Sequence, residues 1–344
     1  MVIIDFVKMF GGAYLGWGIG ANDGANIIGP HVGSNLLSYR FCITLLCVFI
    51  ILGSVISGQG MVENVGKIMP DVEVLQQYSP WTLVNIAVLV TISAALAVNI
   101  ATYLGIPTST SQGAIGAFFG FAIVLGIQEN MIAEIPPWEV FGKMLGSWII
   151  SPFLAALLGF IIQKWGSKLF TRLVTNERIF NRIIVALLVF AGAYGAYILG
   201  ATHAGIAVAP FYVAGVFKGW LGIEPATWAV TVGGLSIALG SLTYSKNVIY
   251  SVGTKITTLD PFSAFSTVVA MSICLNVFKE FGVPVSSSQA IVGAVTGVGL
   301  TRGTQAVSFS TLRKIAIGWI ATPVFPAIVT GLVYALITAL FYAA

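Results

Sequence analysis

The sequence predicts an all-α polytopic membrane protein of about 10–12 transmembrane or re-entrant helices, arranged as two inverted repeats. Hydrophobic residues make up 57% of the 344 residues and charged residues only 8%, whereas an average soluble domain has about 25% charged residues. Motifs of the first half recur in the same order in the second half. The composition also excludes a disordered chain, a collagen-like chain and a nucleic-acid-binding domain with a basic face.

Apolar segments predict the individual helices. A helix that crosses the bilayer needs about 20 apolar residues. Several segments are shorter than this, which indicates broken or re-entrant helices around a buried site. The segments cover residues 3–21, 41–57, 82–104, 113–127, 139–162, 183–200, 207–221, 226–245, 263–280, 290–300 and 313–341.

Positive charge is concentrated in the middle of the chain. Residues 164–182 contain five Lys or Arg residues and a single acid, so the positive-inside rule predicts that this linker is cytoplasmic. Counting the crossings before it places the N-terminus outside the cell. The linker separates a first repeat, residues 1–163, from a second repeat, residues 183–344. A basic amphipathic stretch on the membrane surface is the alternative interpretation.

Three segments recur at nearly constant offset. The pairs are 20–26 with 200–206, Gly53-Ser54 with Gly240-Ser241, and 99–117 with 276–294. Three matches in the same order are hard to obtain by chance. An odd number of crossings between the copies would invert one relative to the other, and inverted repeats typically place a site near the membrane midplane at the repeat interface. A channel built of repeats is the structural alternative.

The first repeated motif carries a buried acid. Asp23 lies between Asn22 and Asn26 in a glycine-rich segment that we expect to break the helix. A carboxylate inside a membrane costs about 2.5–3.5 kcal/mol on insertion scales, so it needs a partner. One carboxylate, two amides and freed backbone carbonyls form an all-oxygen set that suits a hard cation such as Na⁺, and the carboxylate could equally carry a proton. A polar turn at the membrane surface is the alternative. In the second copy, Thr202 and His203 replace the Asn-Asp pair.

The second repeated motif is a proline followed by hydroxyl side chains. Pro107 and Pro284 each end an incoming helix, and Ser and Thr residues begin the next one. Such a helix start presents free N–H groups and the positive end of the helix dipole, so two facing starts bind an oxyanion without Lys or Arg. Ordinary N-capping is the alternative. The predicted oxyanion residues are Ser109, Thr110, Ser111, Gln112, Ser286, Ser287, Ser288 and Gln289.

At these motifs the chain resembles the PiT family of inorganic phosphate transporters. That family carries two G-A-N-D-x-A-N elements and two P-x-S-[ST]-[ST]-H elements, and residues 20–34 and 246–261 are close matches. The resemblance covers nearly the whole chain in the right order. It implies Na⁺- or H⁺-coupled symport of phosphate by an inverted-repeat protein that forms a homodimer.

The resemblance also implies residue roles. The hydroxyl residues at 109–111 and 286–288 correspond to oxyanion residues, and Asn22, Asp23 and Asn26 correspond to coupling-ion residues. The complete predicted Na⁺ site is Asn22, Asp23, Asn26, Asn99 and Asn276.

Departures from the family pattern keep other functions open. Gln112 and Gln289 stand where the family usually has His, and the second Asn-Asp pair is lost. A H⁺-coupled sulfate- or thiosulfate-type permease and a passive anion channel therefore remain alternatives to Na⁺/phosphate symport. Because the sequence has no Walker A, GxSxG or HExxH motif, we expect no enzyme and no cofactor beyond the coupling ion, Na⁺ or H⁺. The expected partners are a tetrahedral oxyanion, Na⁺, the lipid of the cell membrane and a second copy of the chain, but not nucleic acid.

Overall fold

The computed structural model describes residues 9–69, 78–219, 222–254, 256–257 and 259–342. The predicted segments 3–21 and 207–221 and the family-like segment 246–261 each include residues outside these ranges. Thirteen α-helices form within the described residues. They are α1 Phe10–Gly33, α2 Tyr39–Ser57, α3 Gln59–Gly66, α4 Pro80–Tyr103, α5 Thr110–Gln128, α6 Trp138–Ile161, α7 Ser167–Leu173, α8 Glu177–Val213, α9 Pro225–Tyr244, α10 Lys246–Thr254, α11 Pro261–Glu280, α12 Ser287–Leu300 and α13 Phe309–Tyr342.

The fold class is confirmed as all-α and polytopic. Eight helical segments of the described chain are long and apolar enough to cross a membrane. A shorter apolar helix, α12, joins them. Sequence signals set several helix starts: α4, α9 and α11 each have proline in the first turn, where its missing N–H costs no helical hydrogen bond.

The predicted helix break at residues 20–26 is wrong. Asn22, Asp23 and Asn26 lie inside the continuous helix α1, so their backbone carbonyls are not freed for a ligand. The glycines allow close helix packing instead. Gly20 lies against the backbone of α9, and Gly24 lies against the side chain of Ser241, which is also on α9. Glycine has no Cβ, which allows two membrane helices to approach closely at these positions.

The second half is more continuous than predicted as well. The sequence predicts two separate helices at 183–200 and 207–221. In the structure a single 37-residue helix, α8, runs through all of the first segment and through the second as far as Val213. The basic linker 164–182 is mostly helical. A π-helical turn at Ile162–Gly166 continues directly into α7, and α8 begins at Glu177.

The two halves pack against each other reciprocally. Helix α5 packs on α13, and its counterpart α12 packs on α6; α1 packs on α9, and α8 packs on α2. Close backbone approaches repeat in the same way: Gly116 of α5 lies against Pro323, and Gly293 of α12 lies against Pro152. Each contact therefore recurs with the halves exchanged.

The two helix pairs that carry the hydroxyl motifs approach from opposite ends of α6. Residues 129–137 connect the end of α5 to the start of α6. At the other end, Gly166 lies against Phe262 in the first turn of α11. The end of α5 and the start of α11 therefore lie at opposite ends of α6. The inversion of the repeats stays a prediction.

Candidate functional site

The two hydroxyl-rich helix starts meet in the middle of the bundle. Ser111 Oγ lies 3.5 Å from the carbonyl oxygen of Val285, and Ser288 Oγ lies 2.5 Å from the carbonyl oxygen of Thr108. Ser111 and Ser288 are equivalent in the two repeats, as are Thr108 and Val285. The contact is therefore reciprocal, and it places both starts at the repeat interface.

Glycine and proline shape the turn before each start. Gly105 and Gly282 both have a φ of +67°, in the left-handed region that ends a helix. Two residues later, Pro107 and Pro284 prevent the incoming helix from continuing. The chain reverses within a few residues, so each new helix begins among buried side chains.

Only part of the first turn of each helix is capped by the protein. Ser109 Oγ accepts from the N–H of Gln112 at 3.3 Å, and Ser286 Oγ accepts from the N–H of Gln289 at 3.1 Å. The N-capping alternative is therefore true of Ser109 and Ser286. Four further backbone N–H groups have no acceptor in the described chain: those of Thr110, Ser111, Ser287 and Ser288. Free N–H groups at a helix start attract anions.

A buried carboxylate connects these two helix starts. Asp23 is 1% exposed. Its Oδ2 accepts a hydrogen bond from the hydroxyl of Thr110 on α5, and its Oδ1 accepts from Ser288 on α12 at 3.1 Å. Two predicted oxyanion hydroxyls are thus bound to the predicted cation residue. The structure joins the two predicted sites into one cluster.

Asn26 completes the carboxylate cluster. Its Nδ2 donates to Ser288 Oγ at 2.8 Å and to Asp23 Oδ1 at 3.3 Å. Its Oδ1 is buried and has no partner among the described residues. A buried unpaired carbonyl oxygen beside a carboxylate is a suitable ligand for a hard cation.

His203 faces the carboxylate from the second repeat. Its Nε2 lies 3.6 Å from Asp23 Oδ2, and its Nδ1 lies 2.7 Å from Thr202 Oγ1. The ring is fully buried. The sequence identified His203 as the replacement for the second acid but did not predict that it would meet the first. The equivalence of the two positions was the available signal.

The other predicted cation residues occupy different places. Asn22 stabilises the turn before α5 by hydrogen bonds. Its Nδ2 donates to Thr102 Oγ1 and to the carbonyl oxygen of Ile106, and its Oδ1 accepts from the N–H of Thr108. Asn99 has both polar side-chain atoms buried without a partner, close to Gly18 of α1. Asn276 is half-buried on α11. No hydrogen bond links Asn99 or Asn276 to the Asp23 cluster in the described chain.

These features define a multi-pass membrane transport protein whose polar site lies at the interface of two repeats. The family model of the phosphate transporter family matches residues 19–186 and 170–330. The chain therefore belongs to this family, as its resemblance to the PiT transporters implied. The family consists of transporters and is not an enzyme class.

Individual relatives cover almost the whole chain. A candidate phosphate permease of Chlamydia muridarum is 24% identical across 97% of this chain and 98% of its own length. A candidate phosphate permease of Pyrococcus furiosus is 25% identical across 94% of this chain and 93% of its own. A solved structure named the sodium-dependent phosphate transporter has the same fold, with a TM-score of 0.80, 23% identity and coverage of 97% of this chain and 99% of the other.

Proposed function

We propose that this protein is a secondary active transporter that imports inorganic phosphate across the cell membrane by symport with Na⁺. Membership of the phosphate transporter family supports the substrate, and the similarity to a transporter named as sodium-dependent supports the ion. The observation that carries the coupling is the position of Asp23, which is hydrogen-bonded to the first turns of both α5 and α12.

This position supplies a physical reason for coupling. An anion bound at the free N–H groups of the helix starts would lie close to the charge of Asp23. Two like charges about 6 Å apart repel by about 3 kcal/mol at an effective dielectric constant of about 20. A Na⁺ held by the Asp23 carboxylate and Asn26 Oδ1 would cancel this repulsion. Phosphate would therefore bind well only after the cation.

His203 supports a second candidate, a H⁺-coupled permease for sulfate or thiosulfate. A proton on the Asp23–His203 pair would cancel the carboxylate charge as Na⁺ would, and the two groups are only 3.6 Å apart. For this second candidate function, the proton gradient drives transport. The substrate itself need not carry a proton.

Uptake into liposomes that contain the purified protein distinguishes these functions. We expect labelled phosphate to accumulate against its gradient when Na⁺ is imposed outside, with little inhibition by excess sulfate. Accumulation driven by a proton gradient, or strong competition by sulfate, would support the second candidate. Flux that never exceeds the electrochemical gradient of the anion would indicate a passive channel and overturn both symport proposals.

We further propose that the protein is a homodimer in the cell membrane with residues 164–182 in the cytoplasm and the N-terminus outside. The family resemblance supports the dimer. The excess of basic residues in this segment supports the orientation.

A further inference from the structure

Helix α7 continues helix α6 to the edge of the membrane. With the π-helical turn between them, the two helices form one helical segment of 36 residues, Trp138–Leu173. Residues 144–163 of this segment are 20 consecutive uncharged residues. At 1.5 Å per residue they extend about 30 Å, which is the thickness of the hydrocarbon core. The next residue is Lys164, so the π-helical turn and α7 lie at the level of the lipid headgroups.

Two stripes of side chains run next to each other along this stretch. Residues at four-residue intervals share one face of a helix. The basic stripe consists of Lys164, Lys168 and Arg172, and the apolar stripe consists of Trp165, Leu169 and Leu173. All six side chains are exposed. Positive residues beside tryptophan and leucine are typical of a helix at a membrane interface.

The opposite face of α7 is held by aromatic packing. The ring of Phe170 contacts the rings of Phe180 in α8 and Phe262 in α11, with centroids 4.9 and 5.4 Å apart. Gly166 of the π-helical turn also lies against Phe262. Because these contacts fix the inner face of α7, both stripes point away from the bundle.

The protein does not neutralise the basic stripe. None of its three side chains forms an ion pair with an acid of the described chain, and Lys164 instead lies over the ring of Phe160. Arg178 and Arg182, in the first two turns of α8, add two exposed positive charges, and Glu177 is the single acid of this segment. The headgroups of anionic phospholipids supply the missing negative charge.

A lipid fits this surface better than a soluble polyanion or a second copy of the chain does. A soluble polyanion would neutralise the basic stripe but leave the apolar stripe in water. In a second copy, Glu129, Glu134 and Glu139 precede the uncharged stretch 144–163, so these acids lie across the membrane from the basic stripe. Two copies with the same orientation therefore cannot bring them to it.

We propose that the basic stripe binds the phosphate groups of anionic phospholipids while the apolar stripe contacts their acyl chains. This lipid site does not depend on the proposed transport function, on its substrate or on its coupling ion. Since Phe170 packs on the first turn of α11, the bound lipid is connected through α7 to the helix pair α11–α12.

Quenching of tryptophan fluorescence by brominated phospholipids tests this proposal on the purified full-length protein in detergent. The signal of Trp165 is the difference between each protein and its Trp165→Phe form. We expect brominated phosphatidylglycerol, which is anionic, to quench this signal at lower concentration than brominated phosphatidylcholine, which is neutral overall. One basic residue near an anionic surface contributes about fivefold in affinity. Lys168→Gln should therefore reduce the preference about fivefold, and glutamine at all three basic-stripe positions should reduce it at least tenfold.

Two control variants separate charge from other effects of substitution. Lys143→Gln removes an exposed charge at the opposite end of α6 and should keep the preference. The exchange variant Lys164→Arg, Lys168→Arg and Arg172→Lys retains all three positive charges and should keep it as well. High salt should weaken the preference, because it screens exposed charges. The melting temperature of each variant should remain close to that of the wild type, since every substituted side chain is exposed.

Three results would overturn the proposal. The first is equal quenching of wild-type Trp165 by the two lipids, or an unchanged preference in the triple glutamine variant. The second is displacement of brominated phosphatidylglycerol by glycerol phosphate but not by chloride at the same ionic strength, which would show a site for a soluble anion. The third is dissociation of an oligomer in the triple glutamine variant, measured by light scattering, which would assign the surface to a second copy of the chain.

Discussion

The Asp23 carboxylate and the His203 imidazole occupy equivalent positions of the two repeats, and in the fold they lie 3.6 Å apart. The fold therefore brings the changed position of the second motif against the acid of the first. An acid in both copies would place two negative charges there, a suitable setting for more than one cation. Replacement of one acid by histidine removes one of those charges while keeping a group that exchanges protons.

The charge of Asp23 should be what makes phosphate binding depend on Na⁺. In Asp23→Asn the repulsion is gone, so we expect phosphate to bind without Na⁺ while Na⁺-driven accumulation is lost. Binding and uptake of labelled phosphate, each with and without Na⁺, measure the two effects. Glu139→Gln is the control, because this acid is exposed and pairs only with Lys143 among the described residues. Full Na⁺ coupling in Asp23→Asn would refute the assignment of the ion to Asp23.

Restoring the second acid should change the number of coupling ions. In His203→Asp, two carboxylates face each other in a buried place, and the added charge must be compensated by a cation. We expect more Na⁺ to be transported per phosphate than in the wild type, measured by dual labelling with ²²Na⁺ and ³²P-phosphate. His203→Gln adds no charge and serves as the control. Loss of proton-driven uptake in His203→Gln would favour the H⁺-coupled candidate, and an unchanged ion ratio in His203→Asp would contradict this prediction.

The sequence predicted the helix starts well because their signals are local. A proline followed by hydroxyl residues determines where a helix ends and the next begins, so α5 and α12 were placed within a few residues. The continuity of α1 was missed because a glycine-rich segment can break a helix or pack it closely. Only the facing backbone of α9 decides between these outcomes. The pairing of Thr110 and Ser288 with Asp23 joins residues far apart in sequence and needed the fold.

Asn22 should act on the oxyanion site through the turn that it fastens. Asn22→Ala leaves the carbonyl of Ile106 and the N–H of Thr108 without their partner, which costs about 1–3 kcal/mol per group. We expect a lower melting temperature and a KM for phosphate raised about tenfold, with the dependence on Na⁺ concentration unchanged. Uptake rates measured at varied phosphate and at varied Na⁺ concentrations give the KM for phosphate and the Na⁺ dependence separately. A variant with normal phosphate KM and weakened Na⁺ dependence would instead show that Asn22 is a cation ligand, as the sequence predicted.

Close packing of the two halves should depend equally on the two equivalent glycines Gly116 and Gly293. A Cβ at either position would overlap the backbone of the facing helix, at Pro323 or Pro152, and such overpacking typically costs about 1–3 kcal/mol. We expect Gly116→Ala and Gly293→Ala to lower the melting temperature by similar amounts. Gly142 on α6 is the matched control, because a Cβ added there would meet no neighbouring atom of the described chain within 4 Å, and alanine favours a helix over glycine by about 0.8–1.0 kcal/mol. Gly142→Ala should therefore be neutral or stabilising. If only one of the two buried substitutions were destabilising, the packing between the repeats would not be symmetric.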